Sequence, residues 1–369
     1  MDIEFINFEF GISDLHKTFS VFGFDIAYYG LIIAIGMIAG TCIAMWDAKT
    51  SGQNPDDYLD FALYAIIFSV IGARIYYVAF SWDLYKDNVW EIFNIRNGGL
   101  AIYGGVIAAV LTLFIYTKIR KMSMMKMADT GVLGLILGQA IGRWGNFVNC
   151  EAFGGYTDSL FAMRLNVEKV NSSMISEELW ANRIIEEGIT YIQVHPTFLY
   201  ESMWNVMVLI ILLVYRKHKK FDGEIFFMYL FGYGLGRSWI EGLRTDQLLL
   251  WGTNIAVSQA LAIVLVVASA AVIIVKRAQV KKAAASGENE PAAETVSGEA
   301  DGNEAEAAAD STEDMGTDKT GAAEDVSVEN SADEVPADDV AASEAADRVS
   351  EEEAAEAVTG AADTAESEQ

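Results

Sequence analysis

Cysteine is almost absent from this chain. Cys42 and Cys150 are its only two, too few for a disulfide framework. Cys42 sits in an apolar run and reads as a small packing residue. Cys150 borders a polar motif, so a thiol nucleophile stands there as the alternative to packing. No basic stretch precedes a short apolar run at the N-terminus, so no cleavable leader is expected. The first apolar segment begins near residue 26 and is long enough to stay in a membrane. No metal-ligand spacing of His, Cys, Asp and Glu is present. The stretch 253–275 holds no lysine, which excludes a retinal Schiff base and with it a seven-helix photoreceptor. The motif at 142–154 occurs once, so the internal repeat of many secondary transporters is not visible.

Aromatic residues are missing altogether after residue 282, where the composition changes abruptly. Residues 1–282 carry 25 acidic and 23 basic side chains, a formal charge of −2. Residues 283–369 carry 27 acids against two bases, Lys319 and Arg348. Such a segment has too little apolar surface to offset its chain entropy and reads as a solvated, disordered acidic tail. The net charge of −27 therefore reports the tail and says nothing about the partners of residues 1–282. No nucleic-acid partner is expected.

Long apolar runs are plentiful in that first part. Seven segments of spanning length run over about 26–46, 59–80, 99–117, 128–147, 197–215, 223–243 and 253–275. The fold class expected is thus an all-α integral membrane protein with seven transmembrane helices. Basic clusters follow the third span (Lys118, Arg120, Lys121, Lys126), the fifth (Arg216, Lys217, Lys219, Lys220) and the seventh (Lys276, Arg277, Lys281, Lys282). All three fall on one side if every segment crosses. The positive-inside rule then puts the N-terminus outside and the tail in the cytoplasm. The mixed stretch 150–195, with a helix start near Ser172–Glu178, forms a small cap on the outer face. In the fourth span Gly134, Gly138 and Gly142 make overlapping small-xxx-small pairs that favour close helix packing. Gly98-Gly99 and Gly104-Gly105 around Tyr103 suggest a bent or broken start to the third helix.

The polar residues within these runs carry the chemistry. Arg74, Arg143 and Arg237 lie in or at the ends of apolar segments, where a lone arginine costs roughly 2.5–3.5 kcal/mol on insertion scales. Arg237, Glu241 and Arg244 share one helical face by their spacing of four and three. His195-Pro196-Thr197 opens the fifth span, with Tyr200 and Glu201 one turn in. Each has an ordinary structural explanation alone, such as snorkelling or an ion pair. Together they suggest one buried polar site. Guanidinium groups bind phosphate through two N–H donors and stabilise charge on a leaving phosphate. A carboxylate, histidine or tyrosine takes a proton from the incoming nucleophile. The combination suits displacement on a glycerophospholipid, without naming the nucleophile.

Gly142-Arg143-Trp144-Gly145-Asn146-Phe147, with Asn149, Glu151 and Gly154, resembles the signature of the bacterial prolipoprotein diacylglyceryl transferases. The likeness extends, in order, to Tyr28-Tyr29-Gly30, Gly72-Ala73-Arg74, Gly98–Gly105, His195–Glu201 and Tyr233–Arg237 with Glu241 and Arg244. It covers about 20–277. The resemblance implies a transferase domain over 1–282 in the bacterial cell membrane, with the tail an addition to it. It implies transfer of the diacylglyceryl group of phosphatidylglycerol to the lipobox cysteine of preprolipoproteins, releasing glycerol 1-phosphate, among membrane lipids and without a metal or organic cofactor. By the same resemblance Arg143 and Arg237 bind the lipid phosphate, and Asn146, Glu151 and Gly154 shape the head-group site. Tyr29 and Glu241 orient the arginines. Tyr103 stands where some members carry histidine. It is therefore expected to position the head group, with Glu151 or His195 nearer the proton transfer.

Overall fold

The computed structural model describes residues 1–286 apart from 87, 96, 97, 251, 252 and 254. The acidic segment from 287 onward, and with it the expectation of a disordered tail, lies outside the described residues.

All seven apolar segments form helices. They are α1 (Tyr28–Thr50), α2 (Pro55–Phe80), α3 (Ile102–Ile119), α4 (Met124–Asn149), α6 (Thr197–Tyr215), α7 (Glu224–Ile240) and α8 (Val257–Ser286), with a short α5 (Glu177–Ala181) between α4 and α6. Helix α8 continues past the compositional boundary at Lys282. Five of the seven, α1, α2, α3, α6 and α8, are long and apolar enough to cross a membrane. Helix α7 has only 17 residues, and α4 carries Lys126, Asp129 and Arg143. The outward faces are apolar, with Leu63, Ile67, Ile75, Ile107, Leu111, Ile210 and Val267 all exposed. That is the surface a bundle in hydrocarbon requires.

Local chemistry sets the helix ends. Asn54 caps α2 by accepting from Asp56 N, with Pro55 in the first turn and Asp56 and Asp57 at the positive end of the dipole. Ser123 caps α4 in the same way through Lys126 N. Gly98 and Gly99 adopt left-handed φ of 82° and 73°, so α3 starts only at Ile102, as the paired glycines suggested. Helix α1 packs along α4, α2 along α3 and α7 along α8, while α6 crosses α4 and α7. The α1–α4 seam is glycine against glycine. A Cβ on Gly134 would lie 2.3 Å from Gly40 O, and one on Gly138 3.5 Å from Gly36 O.

The basic clusters meet at one end of the bundle. Lys219 pairs with Asp129, Arg216 with Asp47, Lys126 approaches Asp222, and Arg277 reaches Glu224 and Tyr215. The cap sits where α1 begins, α4 ends and α6 begins, and here the all-α expectation needs correction. The cap is built on a five-stranded antiparallel sheet. Its strands are β1 (Ile3–Phe5), β2 (Phe10–Ile12), β5 (Met163–Asn166), β6 (Ile184–Glu186) and β7 (Ile189–Val194), in the order β2-β1-β5-β7-β6. A separate hairpin, β3 (Thr18–Val21) with β4 (Phe24–Ala27), leads into α1. The cap is therefore shared between the N-terminus and 150–195. The helix start read near Ser172–Glu178 is α5, capped by Ser176 Oγ accepting from Leu179 N. Ile3, Leu165, Leu179, Ile192 and Val194 fill the cap's core, which joins the bundle through Phe147 and Phe198, whose rings lie 4.5 Å apart.

Candidate active site

Where α4, α6 and α7 approach the cap, Glu201 brings two arginines together. Its Oε1 accepts from Arg237 Nη1 at 3.0 Å, and its Oε2 pairs with Arg143 Nε. The α4–α6 register behind this contact is held by Trp144 Nε1 donating to Ser202 Oγ at 3.2 Å and Ser202 Oγ donating to Ala140 O at 2.9 Å. Arg237 makes a second pair with Glu241, whose Oε2 lies 2.7 Å from Nη2. Ser258 Oγ from α8 donates to Glu241 Oε1 at 2.6 Å. Arg244 then binds Asp246 through two N–H donors at 2.8 and 2.6 Å. The chain leaves α7 through a tight turn over Glu241–Leu243, which keeps Arg237, Glu241 and Arg244 adjacent as their spacing implied.

The Glu201 side chain is 6 % exposed, while Arg143 and Arg237 keep 21 % and 17 %. The carboxylate is the buried anchor and the guanidiniums are the exposed ends. They face a cavity of about 880 Å³. One region of its wall is polar, with Tyr29, Tyr103, Arg143, Asn146, Arg237, Glu241, Arg244 and Asp246. The rest is apolar, including Ile33, Met37, Phe61, Ile66, Leu135, Leu261 and Leu265. An anionic head with hydrocarbon tails matches that division. Arg143 commits only Nε to protein, and its two Nη groups have no protein partner among the described residues. Its planar fork is thus available to an oxyanion.

Helix α4 ends so that Glu151 turns back toward this wall. Cys150 and Ala152 both adopt left-handed φ, 55° and 54°, a costly conformation for non-glycine residues. The reversal lets Glu151 Oε1 accept from Asn146 Nδ2 at 2.8 Å. Glu151 and Arg143 both lie within electrostatic reach of Tyr29. The Tyr29 ring rests on Gly145, where a Cβ would come within 2.7 Å of it. Cys150 itself is buried in the cap core, and burial pushes its thiol up to about 11. A thiol held neutral there is a packing group, and the nucleophile alternative falls away.

Gly154 and His195 pack together outside the cavity wall. Gly154 N donates to His195 O at 2.9 Å, and Gly155 N donates to Leu243 O at 2.9 Å. A Cβ on Gly154 would meet His195 Cβ at 2.7 Å and Leu243 O at 2.8 Å, so only glycine lets this strap tie α4, α6 and α7 together. The His195 ring lies against Tyr200, with Nδ1 3.2 Å from the hydroxyl, and burial lowers its pKa.

Arg74 does not join the other two arginines. All five of its N–H donors are spent on backbone carbonyls: Nε on Ile92, Nη1 on Gly98 and Gly99, Nη2 on Glu91 and Asn94, at 2.7–3.0 Å. Tyr85 covers the guanidinium at 5.1 Å. Arg74 folds the α2–α3 loop and has no donor left for a phosphate. Conversely, Glu201 was visible in the sequence only as a neighbour of His195, yet it is the group on which the arginine pair depends. Its position one turn inside an apolar helix was the available signal. Among the described residues no group of three or more His, Cys, Asp or Glu is placed to hold a metal ion.

The family described as prolipoprotein diacylglyceryl transferase matches residues 16–275. A phosphatidylglycerol–prolipoprotein diacylglyceryl transferase from Clostridioides difficile is 47 % identical over 233 residues, 63 % of this chain and 84 % of that protein. Proteins of the same name from Listeria welshimeri and Bacillus cytotoxicus are each 42 % identical. They align over 69 % of this chain, covering 86 % and 89 % of their own lengths.

Proposed function

The chain belongs to the prolipoprotein diacylglyceryl transferase family, and from that membership we infer how its arginine pair works. It is a membrane enzyme that moves the diacylglyceryl group of phosphatidylglycerol to a prolipoprotein. The observation that carries the residue-level reading is the Arg143–Glu201–Arg237 bridge at the polar end of an otherwise apolar cavity.

In this reading the acyl chains lie along the apolar wall and the phosphate meets the Arg143 fork, with Arg237 beside it. Glu201 and Glu241 hold the two guanidiniums in place, so little reorganisation is needed as charge grows. The lipobox cysteine sulfur attacks the glyceryl carbon that bears the phosphate ester. The C–S bond forms as the C–O bond breaks, and the electron pair leaves on glycerol 1-phosphate, where the arginines stabilise it. Glu151, set by Asn146, is suited to take the thiol proton; His195, the alternative, lies outside the cavity wall against Tyr200 and would have to act from the cap side. Tyr103 positions the head group from α3, and Tyr29 from α1 helps to orient Arg143. Gly154 contributes by holding the strap beneath.

The same reading places the enzyme in the bacterial cytoplasmic membrane with seven spans, the cap outside and the acidic segment inside. The meeting of the three basic clusters at the end away from the cap supports this orientation. The test is the mass of a lipobox peptide after incubation with purified enzyme and phosphatidylglycerol. One diacylglyceryl group should appear on the cysteine, with an equal amount of glycerol phosphate. Equal lipidation from phosphatidylethanolamine would defeat the substrate assignment.

A further inference from the structure

Beside the arginine pair lies a small space of about 10 Å³ between α6 and α7. It is walled by Glu201, Trp204, Asn205, Tyr233, Arg237 and Ile240, and floored by Gly236. Gly236 leaves room there for the Trp204 ring, since a Cβ would come within 2.3 Å of Trp204 Cδ1. Asn205 is 2 % exposed, and its Nδ2 has no hydrogen-bond partner among the described residues. An amide buried midway along a membrane helix without a partner is costly, and such residues in spans mark functional positions. A space of this size holds one water if the water finds two to four polar partners. The lining offers such partners: the Asn205 amide and the Arg237 guanidinium as donors and the Glu201 carboxylate as acceptor.

We propose that this space is a single-water site, and that Asn205 is a positioning residue which, through that water, keeps Glu201 set between Arg143 and Arg237. The inference rests on the transferase reading above. Glu201 uses one lone pair of each oxygen on an arginine, and the water occupies a further one. The carboxylate then has no freedom to rotate away from either guanidinium. Loss of the amide leaves Glu201 held by the arginines only, and the phosphate fork loses its alignment.

The experiment compares wild type, Asn205→Leu and Asn205→Ser in the lipidation assay, with a high-resolution density map of the wild-type enzyme. Asn205→Leu should raise KM for phosphatidylglycerol about tenfold, the size of one unmade buried hydrogen bond, and leave KM for the peptide unchanged. A merely structural defect would reduce the active fraction, lowering kcat and leaving both KM values alone. Asn205→Ser keeps a donor and makes room for a second water, so it should return to within about threefold of wild type. The map should show one solvent peak within hydrogen-bond distance of Asn205 Nδ2 and the Glu201 carboxylate. The proposal is overturned by a wild-type lipid KM in Asn205→Leu, by Asn205→Ser as impaired as Asn205→Leu, or by a dry space in the map. Should Asn205→Leu fail to fold, the serine variant and the map decide. Failure of wild type to lipidate the peptide would instead overturn the transferase reading, leaving the map as the test of the water site.

Discussion

Glu201 Oε1 lies 3.0 Å from Arg237 Nη1, joining the second turn of α6 to the last turn of α7. Because the other carboxylate oxygen pairs with Arg143, one buried side chain sets the separation of two guanidiniums that come from helices far apart in sequence. Removing one partner from a buried pair costs more than the pair contributes, since the remaining charge is left unpaired.

Arg143→Ala and Arg237→Ala should each lower turnover by about 30- to 1000-fold, the equivalent of about 2–4 kcal/mol of transition-state stabilisation. Arg143→Lys should recover only part of it, because an ammonium group lacks the planar fork. Steady-state kinetics on folded protein decide this. Near-normal turnover in Arg143→Ala would remove that residue from the site.

Tyr103→Phe should reduce turnover modestly, by about 1–3 kcal/mol for one unmade buried hydrogen bond. The acidic limb of the pH–rate profile should stay in place, since the phenol is assigned to positioning. A vanished limb, or a loss of many orders of magnitude, would make Tyr103 the base.

His195 gives a pH prediction with a definite sign. Burial lowers its pKa, so the unfolded chain binds this proton more readily than the folded one. The stabilisation is fully present above the unfolded value of about 6.5 and is lost as pH falls through the folded value. Thermal unfolding measured from neutral to mildly acidic pH should show a weaker acid-side loss for His195→Gln than for wild type. Identical slopes would show that His195 is not the group responsible.

Gly134→Ala should damage folding more than chemistry. Its Cβ would sit 2.3 Å from Gly40 O, which is backbone and cannot swing away. Overpacking of this kind costs typically about 1–3 kcal/mol. Gly131→Ala, with nothing within 4 Å of its Cβ, is the matched control on the same helix. Melting temperatures in detergent should fall for the first and hold for the second.

Removal of residues 287–369 should leave specific activity within about twofold, since their composition, without aromatic side chains, offers little apolar surface to bury. The measurement is lipidation per mole of inserted protein. A large loss would assign that segment a role in turnover.

Hydropathy alone located every long helix, because burial in hydrocarbon demands continuous apolar runs. The cap sheet escaped notice for an equally physical reason. Strands β1 and β2 are three residues each, and the partner of Ile3 across β5 is Leu165, too remote for any local pattern to register. Arg143, Arg237 and Glu241 were legible because charge in an apolar run is expensive. Arg74 was not separable from them, since a guanidinium caged by carbonyls and one facing a phosphate look alike in sequence. The carbonyls of Gly98 and Gly99 that cage it come from a different segment, and no local pattern links them to Arg74. Glu201 was seen but not assigned, because its importance lies in two partners on other helices.

The strand order of the cap also constrains when the protein can finish folding. Strand β1 lies between β2 and β5, so this segment, made before the helices, has a neighbour ready on one edge only. Its other edge stays unpaired until four of the long helices have been made. Maturation therefore has a late checkpoint at the sheet, separate from helix insertion. A lesion in Ile3–Phe5 should yield a bundle that inserts normally but retains a protease-sensitive cap, and such a defect would be recorded as instability rather than as failed targeting.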